Sequence, residues 1–204
     1  MLTDKLRATA TPILNCEAFI QDDLGLTDTG PSGDPGPPSQ FAFGVVNGET
    51  RIVIADPAHP LAAGLRDVVA VYSAPKEINW GKVAAGAKVV ATLASDPAGA
   101  AYYVYEQGST LFDGKKAAGM RIGFFLEDDN TTGTATFFTA DGLKMFDAAV
   151  GYALGTTTSL GRAAGARASN ASAGDSRERS DALGRLRPDE AIGRLWKAKP
   201  RLRP

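Results

Sequence analysis

The 204-residue chain predicts one α/β domain over residues 1–155, followed by a basic tail over 156–204. Three observations predict it. Short β-rich runs bounded by Gly, Pro, Asn or Asp recur between Thr11 and Leu126. One amphipathic helix pattern spans Ala140 to Leu154. Composition then changes abruptly. Residues 1–155 hold 11 Lys/Arg against 18 Asp/Glu, a net of −7, and residues 156–204 hold 11 against 5, a net of +6. The formal net charge of −1 hides that contrast, which marks a composition boundary.

Residues 2–9 read as a short helix end, and Thr11 to Asn15 as a short buried strand. Cys16 to Leu24 reads as a helix with Phe19, Ile20 and Leu24 on one side and Gly25 as its stop. Residues 27–40 are Gly/Pro-rich and are expected to hold neither helix nor strand. Phe41–Val46 and Arg51–Ala55 flank Asn47-Gly48, the best short signal for a type I′ hairpin, so an antiparallel pair is expected there. Val68–Ser73, Lys88–Leu93, Ala100–Tyr105 and Met120–Leu126 read as further strands. The closing helix has Thr139 as cap, Asp141 in its first turn, and an apolar stripe of Leu143, Phe146, Val150 and Ala153. Residues 156–182 lack large apolar side chains and cannot offset ordering entropy by burial, so the tail is expected to be disordered.

Cys16 is the only cysteine, which excludes an intrachain disulfide. Met1 to Arg7 carries Asp4 and no uninterrupted apolar core, unlike a signal peptide, and no apolar run reaches the ~18 residues a membrane span needs. A cytoplasmic location is the default expectation, although a parent protein could be secreted. The basic tail lacks aromatic interleaving beyond Trp196, which disfavours a nucleic-acid partner.

Two stretches carry a family resemblance. The first is Thr11-Pro12-Ile13-Leu14 leading through Asn15-Cys16-Glu17 to Asp23-Leu24-Gly25-Leu26. The second runs from His59-Pro60-Leu61 and Gly64-Leu65 to Ala148-Ala149-Val150. It includes Trp80-Gly81, Tyr105-Glu106-Gln107-Gly108, Arg121-Ile122-Gly123-Phe124-Phe125-Leu126 and Thr139-Ala140-Asp141-Gly142. In order and spacing these motifs resemble the later half of a ThuA-like (trehalose-utilisation-like) domain of the class I glutamine-amidotransferase-like superfamily. The resemblance implies a flavodoxin-like sandwich whose opening βα units are missing before Met1. An N-terminally incomplete sheet would leave an interior edge unpaired, to be completed by another chain or by a missing segment. The resemblance also implies a carbohydrate-associated module of bacterial origin.

The candidate chemistry is sparse. Cys16 lies at a strand-to-helix junction, where backbone N–H groups could lower its pKa and bind an oxyanion, as the catalytic cysteine of amidotransferases does. The glycines of a nucleophile elbow and a following His-x-Glu pair are absent, and ThuA-type relatives generally lack the catalytic cysteine. A non-catalytic module is therefore the first expectation. A cysteine-dependent hydrolase or amidotransferase using Cys16, with His59 as its only possible imidazole partner, is the alternative. Glu127, Asp128 and Asp129 follow one strand and Asp56 another, and with Glu17 and Glu106 they are expected to line one rim suited to sugar hydroxyls, another small ligand or a hard cation. Tyr72 and Trp80 could stack on a sugar face, although core burial is the plainer expectation. One Cys and one His cannot build a usual structural zinc site, and neither metal nor cofactor is expected. A third expectation is a truncated or frameshifted product without independent function, since the Arg/Ala/Gly-rich tail reads like an out-of-frame translation of GC-rich DNA.

Overall fold

A computed structural model describes residues 6–127 and 133–156. They form a mixed α/β protein with one large sheet and one long helix. The strands are β1 (Ile13–Asn15), β2 (Ser32–Gly33), β3 (Phe43–Glu49), β4 (Arg51–Ile54), β5 (Val68–Ala70), β6 (Lys76–Gly81), β7 (Lys88–Leu93), β8 (Ala100–Tyr105) and β9 (Arg121–Gly123). The helix α1 is Ala140–Ala153. The strand order is β2-β3-β6-β8-β7-β4-β5, and β9 joins β8 to β1. Only β1–β9 and β2–β3 are parallel among the described strand pairs.

β8 is the hub, and all six of its residues are buried. One edge pairs with β7. The other is shared by β6, at Ala100, and by β9, at Tyr103 to Tyr105. A register shift opposite Ala91 and Thr92 leaves Ala101 as an extra residue and flips the side-chain alternation there. Ala101, Tyr102 and Val104 therefore enter the core under α1, with Met145 and Ala149, while Ala100, Tyr103 and Tyr105 enter a second core with Leu24, Leu26 and Leu111.

α1 begins and packs by ordinary means. The Thr139 Oγ1 accepts from the Gly142 N–H at 3.0 Å and donates to the Ala70 carbonyl at 2.7 Å, which fixes the helix start to β5. Its buried face is Gly142, Met145 and Ala149, with Phe146, Tyr152 and Ala153 packed beside them. The expected stripe is thus rotated. Leu143 and Val150 are exposed, because the Val71 carbonyl sits so close to Gly142 that only a residue without Cβ fits on the inner face there.

Other local expectations are corrected. Asn47-Gly48 makes no hairpin. Gly48 has φ +77°, but Asn47 stays outside the left-handed region, and the pair forms a bulge within β3 between Val46 and Glu49. β3 then pairs with β6, and β4 lies across the sheet beside β5 and β7. The expected helix over Cys16–Leu24 is one 3₁₀ turn, Ala18–Ile20, followed by turns. Gln21 ends it by leaving the helical path for the core, where its amide donates to the Asn79 Oδ1 at 2.8 Å and the Trp80 carbonyl at 3.0 Å and its oxygen accepts from the Tyr103 hydroxyl. The 27–40 loop does hold a short strand, β2, because Gly33 and Gly44 allow two backbones to meet that any Cβ would hold apart. β6 interrupts its apolar residues with Lys76, Glu77 and Asn79, so its sequence carries no clear strand pattern. Of the expected N-terminal helix, Leu6 and Arg7 are helical and residues 2–5 lie outside the described residues, as does the tail beyond Thr156.

Candidate functional site

Strand direction decides how the candidate side chains gather. β4 and β8 are each antiparallel to β7, so their C-terminal ends share one end of the sheet. β9 is antiparallel to β8 and β1 runs with β9, so their C-terminal ends lie at the other. The described carboxylates therefore form two groups rather than one rim. Glu17 and Glu127 join Cys16 at one end, and Asp56 and Glu106 join His59 at the other. Asp128 and Asp129 lie outside the described residues. Tyr105, Arg121 and Ile13 are aligned across the sheet. Cys16 follows Ile13 by three positions and Glu106 follows Tyr105 by one in the opposite direction, a separation of roughly 13 Å along the strands. The sheet thus keeps Cys16 and His59 apart, and they cannot act as a dyad.

At the first end, β1 delivers Cys16 to the start of the 3₁₀ turn. The backbone donors of this junction are already taken. The Ala18 N–H donates to the Glu127 Oε2 at 2.8 Å, and the Phe19 N–H donates to the Glu17 Oε1 at 3.0 Å. An oxyanion would meet two carboxylates where it needs free N–H groups. The thiol is half-buried, packed against the main core. Burial, and then the Glu127 charge, push its pKa up to about 11. Tyr72 and Tyr102 stand close by, each raised well above the ordinary tyrosine value, mainly by burial and then by Cys16. Burial and the neighbouring carboxylate thus both oppose thiolate formation at Cys16. Tyr72 and Trp80 are themselves fully buried, the Trp80 indole donating to the Gly36 carbonyl at 3.1 Å, so neither offers a stacking face.

At the second end, His59 caps the 3₁₀ turn Pro60–Ala62. Its Nδ1 accepts from the Leu61 N–H at 3.2 Å, so the neutral ring carries its proton on Nε2. The ring lies 5.4 Å from the Tyr152 ring of α1. The Tyr152 hydroxyl donates to the Glu106 Oε1 at 2.5 Å, and the Lys88 ammonium stands 3.6 Å from the same oxygen. Burial and then Lys88 lower the His59 pKa, against Asp56 and Glu106, which raise it. Asp56 spends Oδ1 on the Ala58 N–H at 3.1 Å, closing the turn that presents His59. This end ties β4, β7, β8 and α1 together. Among the described residues no group of three or more His, Cys, Asp or Glu side chains could hold a metal ion.

A third place contains none of the residues singled out in the sequence. It is an open concavity of about 240 Å³ lined by Asp28, Gln40, Phe41, Ala42, Lys82 and Phe112. No sequence signal marked it, because the residues come from four separate segments. The nearest hint was the Gly/Pro-rich loop ending at Gln40-Phe41. Phe41 lies against Gly33 and Gly36 so closely that a Cβ on either would strike its ring, which explains these two of the loop's three glycines. No helix of the described residues is long and apolar enough to cross a membrane. Comparison of the chain with protein-family models, with curated proteins and with solved structures gave no match.

Proposed function

We propose that the chain is a non-catalytic, carbohydrate-associated module of the ThuA-like kind. One observation carries the non-catalytic part. The N–H donors beside Cys16, the only cysteine, are occupied by Glu127 and Glu17, the only imidazole lies at the far end of the sheet, and burial with the Glu127 charge raises the thiol pKa. At a pKa of about 11, roughly one thiol in ten thousand is ionised at pH 7. The carbohydrate association comes from the sequence resemblance, and so does the flavodoxin-like assignment. The part of the sheet that agrees with it is the parallel β1–β9 pair beside α1. The Ile13 N–H and Asn15 carbonyl face β9, which turns the Leu14 N–H and carbonyl toward the other edge of β1, unpaired among the described residues. In this reading that edge receives a further parallel strand.

Two experiments test the proposal. Glutaminase and ester-hydrolysis assays compare the full chain with Cys16→Ser, and no thiol-dependent turnover is expected. Activity that disappears in Cys16→Ser would sink the non-catalytic reading. Affinity electrophoresis through gels containing soluble polysaccharides is expected to retard the full chain in at least one of them.

A further inference from the structure

We propose that the Phe41–Phe112 concavity is a binding site for a single neutral sugar ring. The proposal rests on the carbohydrate-associated reading and gives it a place. Four features lead to it.

The first is the pairing of aromatic and polar groups. Phe112 is an exposed phenylalanine at the tip of a tight turn, where the Leu111 N–H donates to the Lys115 carbonyl at 2.8 Å. Phe41 is half-buried, with its ring set against Gly33 and Gly36. The C–H faces of a pyranose pack on aromatic rings, while its hydroxyls need hydrogen-bonding groups at the rim.

The second is that the rim groups are unspent. The side chains of Asp28, Gln40 and Lys82 make no hydrogen bond or ion pair among the described residues. Asp28 accepts, Lys82 donates, and Gln40 does both, which matches hydroxyl groups that themselves do both.

The third is charge. One carboxylate and one ammonium share the rim. A uronate would be drawn to Lys82 and repelled by Asp28, and an amino sugar the reverse, so a neutral polyol uses both groups without opposition.

The fourth is a prepared frame. The Ala42 N–H donates to the Pro31 carbonyl and the Lys82 N–H to the Ala42 carbonyl, both at 2.8 Å. The Phe112 N–H donates to the Gly25 carbonyl at 2.9 Å. The walls are thus tied to one another before any ligand arrives, which lowers the ordering cost of binding. The volume of about 240 Å³ falls below the ~300 Å³ at which drug-sized sites begin, which fits one ring rather than an extended chain.

The test is a titration of the full chain, labelled with nitrogen-15, with D-glucose, D-galactose and D-mannose. Glucuronate and glucosamine serve as charged comparators. A site of this size and openness should bind in the millimolar range. Expected are amide shifts confined to Gly30, Gln40, Ala42, Lys82 and Phe112 with at least one neutral sugar, and weaker binding of both comparators. Phe112→Ala, at an exposed position, should weaken binding about five- to tenfold, the scale of one lost stacking contact. Lys82→Met should weaken the neutral sugar and glucuronate together. Shifts that map elsewhere overturn the site while leaving the carbohydrate-associated reading standing. No shift with any sugar, together with no retardation in polysaccharide gels, overturns both.

Discussion

Replacing Arg121 with methionine should cost about 3 kcal/mol and should loosen the N-terminal segment first. The guanidinium is fully buried, yet no carboxylate among the described residues pairs with it. It donates instead to five backbone carbonyls: Thr9 at 2.7 Å, Met120 at 2.9 Å, Arg7 at 3.1 Å, and Leu6 and Thr11 at 3.2 Å. Four of the five belong to residues 6–11, so one side chain on β9 gathers the chain that leads into β1. Carbonyl dipoles at the end of a helical turn suit a cation. Hydrogen bonds to a charged group are worth about 1.5–3 kcal/mol each by deletion, but the five cannot be summed. Removing the cation also removes its desolvation penalty of several kcal/mol, and breaking such buried partnerships costs about 3–5 kcal/mol net. The lower end applies because residues 6–11 are not buried, so their freed carbonyls can turn to water. Arg121→Lys keeps the charge but has three donors for five acceptors, so about half the loss should remain. Equilibrium urea unfolding measures the stability. Amide exchange at Ile13, whose N–H donates to the Met120 carbonyl, reports the local loosening. A loss below about 1 kcal/mol, or a lysine variant equal to the parent, would refute the carbonyl-cage argument.

Other expectations are equally direct. Gly44→Ala should destabilise by about 2–4 kcal/mol in urea, because φ is +152° and the new Cβ would lie 2.1 Å from the Gly33 carbonyl oxygen; a change within ~0.5 kcal/mol would show the β2–β3 approach to be loose. The lowered His59 pKa means that the folded state binds its proton less well than the unfolded state. Its contribution to stability is therefore present above about pH 6.5 and is lost as pH falls from there through the folded value. His59→Asn, which can also cap the turn but does not titrate, should flatten that part of the melting-temperature profile, and an unchanged slope would show that His59 is not its source. Tyr152→Phe should weaken the tie between α1 and Glu106 by about 1 kcal/mol, read as a lower melting temperature, and should leave the His59 ring contact in place.

What could be read in advance follows the range of the forces involved. α1, β7 and β8 were legible because capping, periodicity and turn chemistry act over a few residues. The Asn47-Gly48 hairpin failed because its signal is local and its outcome is not: β6 competes for the same edge of β3 and wins. β6 itself, Lys-Glu-Ile-Asn-Trp-Gly, hides two core residues behind the polar Asn79, whose side chain turns out to bond to Gln21 and to the Phe124 carbonyl. The single carboxylate rim presumed parallel strands. The antiparallel β8–β9 pair sends the two halves of that rim to opposite ends, which no spacing in the sequence could disclose. The Phe41–Phe112 concavity was illegible for the same reason, being assembled from side chains up to 84 positions apart, Asp28 to Phe112.

The most direct test of the non-catalytic account is the pH dependence of Cys16 alkylation by iodoacetamide in the folded full chain. The account predicts a rate at pH 7 about a hundredfold below that of an ordinary exposed thiol, rising only as the pH approaches an apparent pKa of about 11. Rapid alkylation at pH 7, with an apparent pKa below about 8, would contradict it and make Cys16 an activated nucleophile.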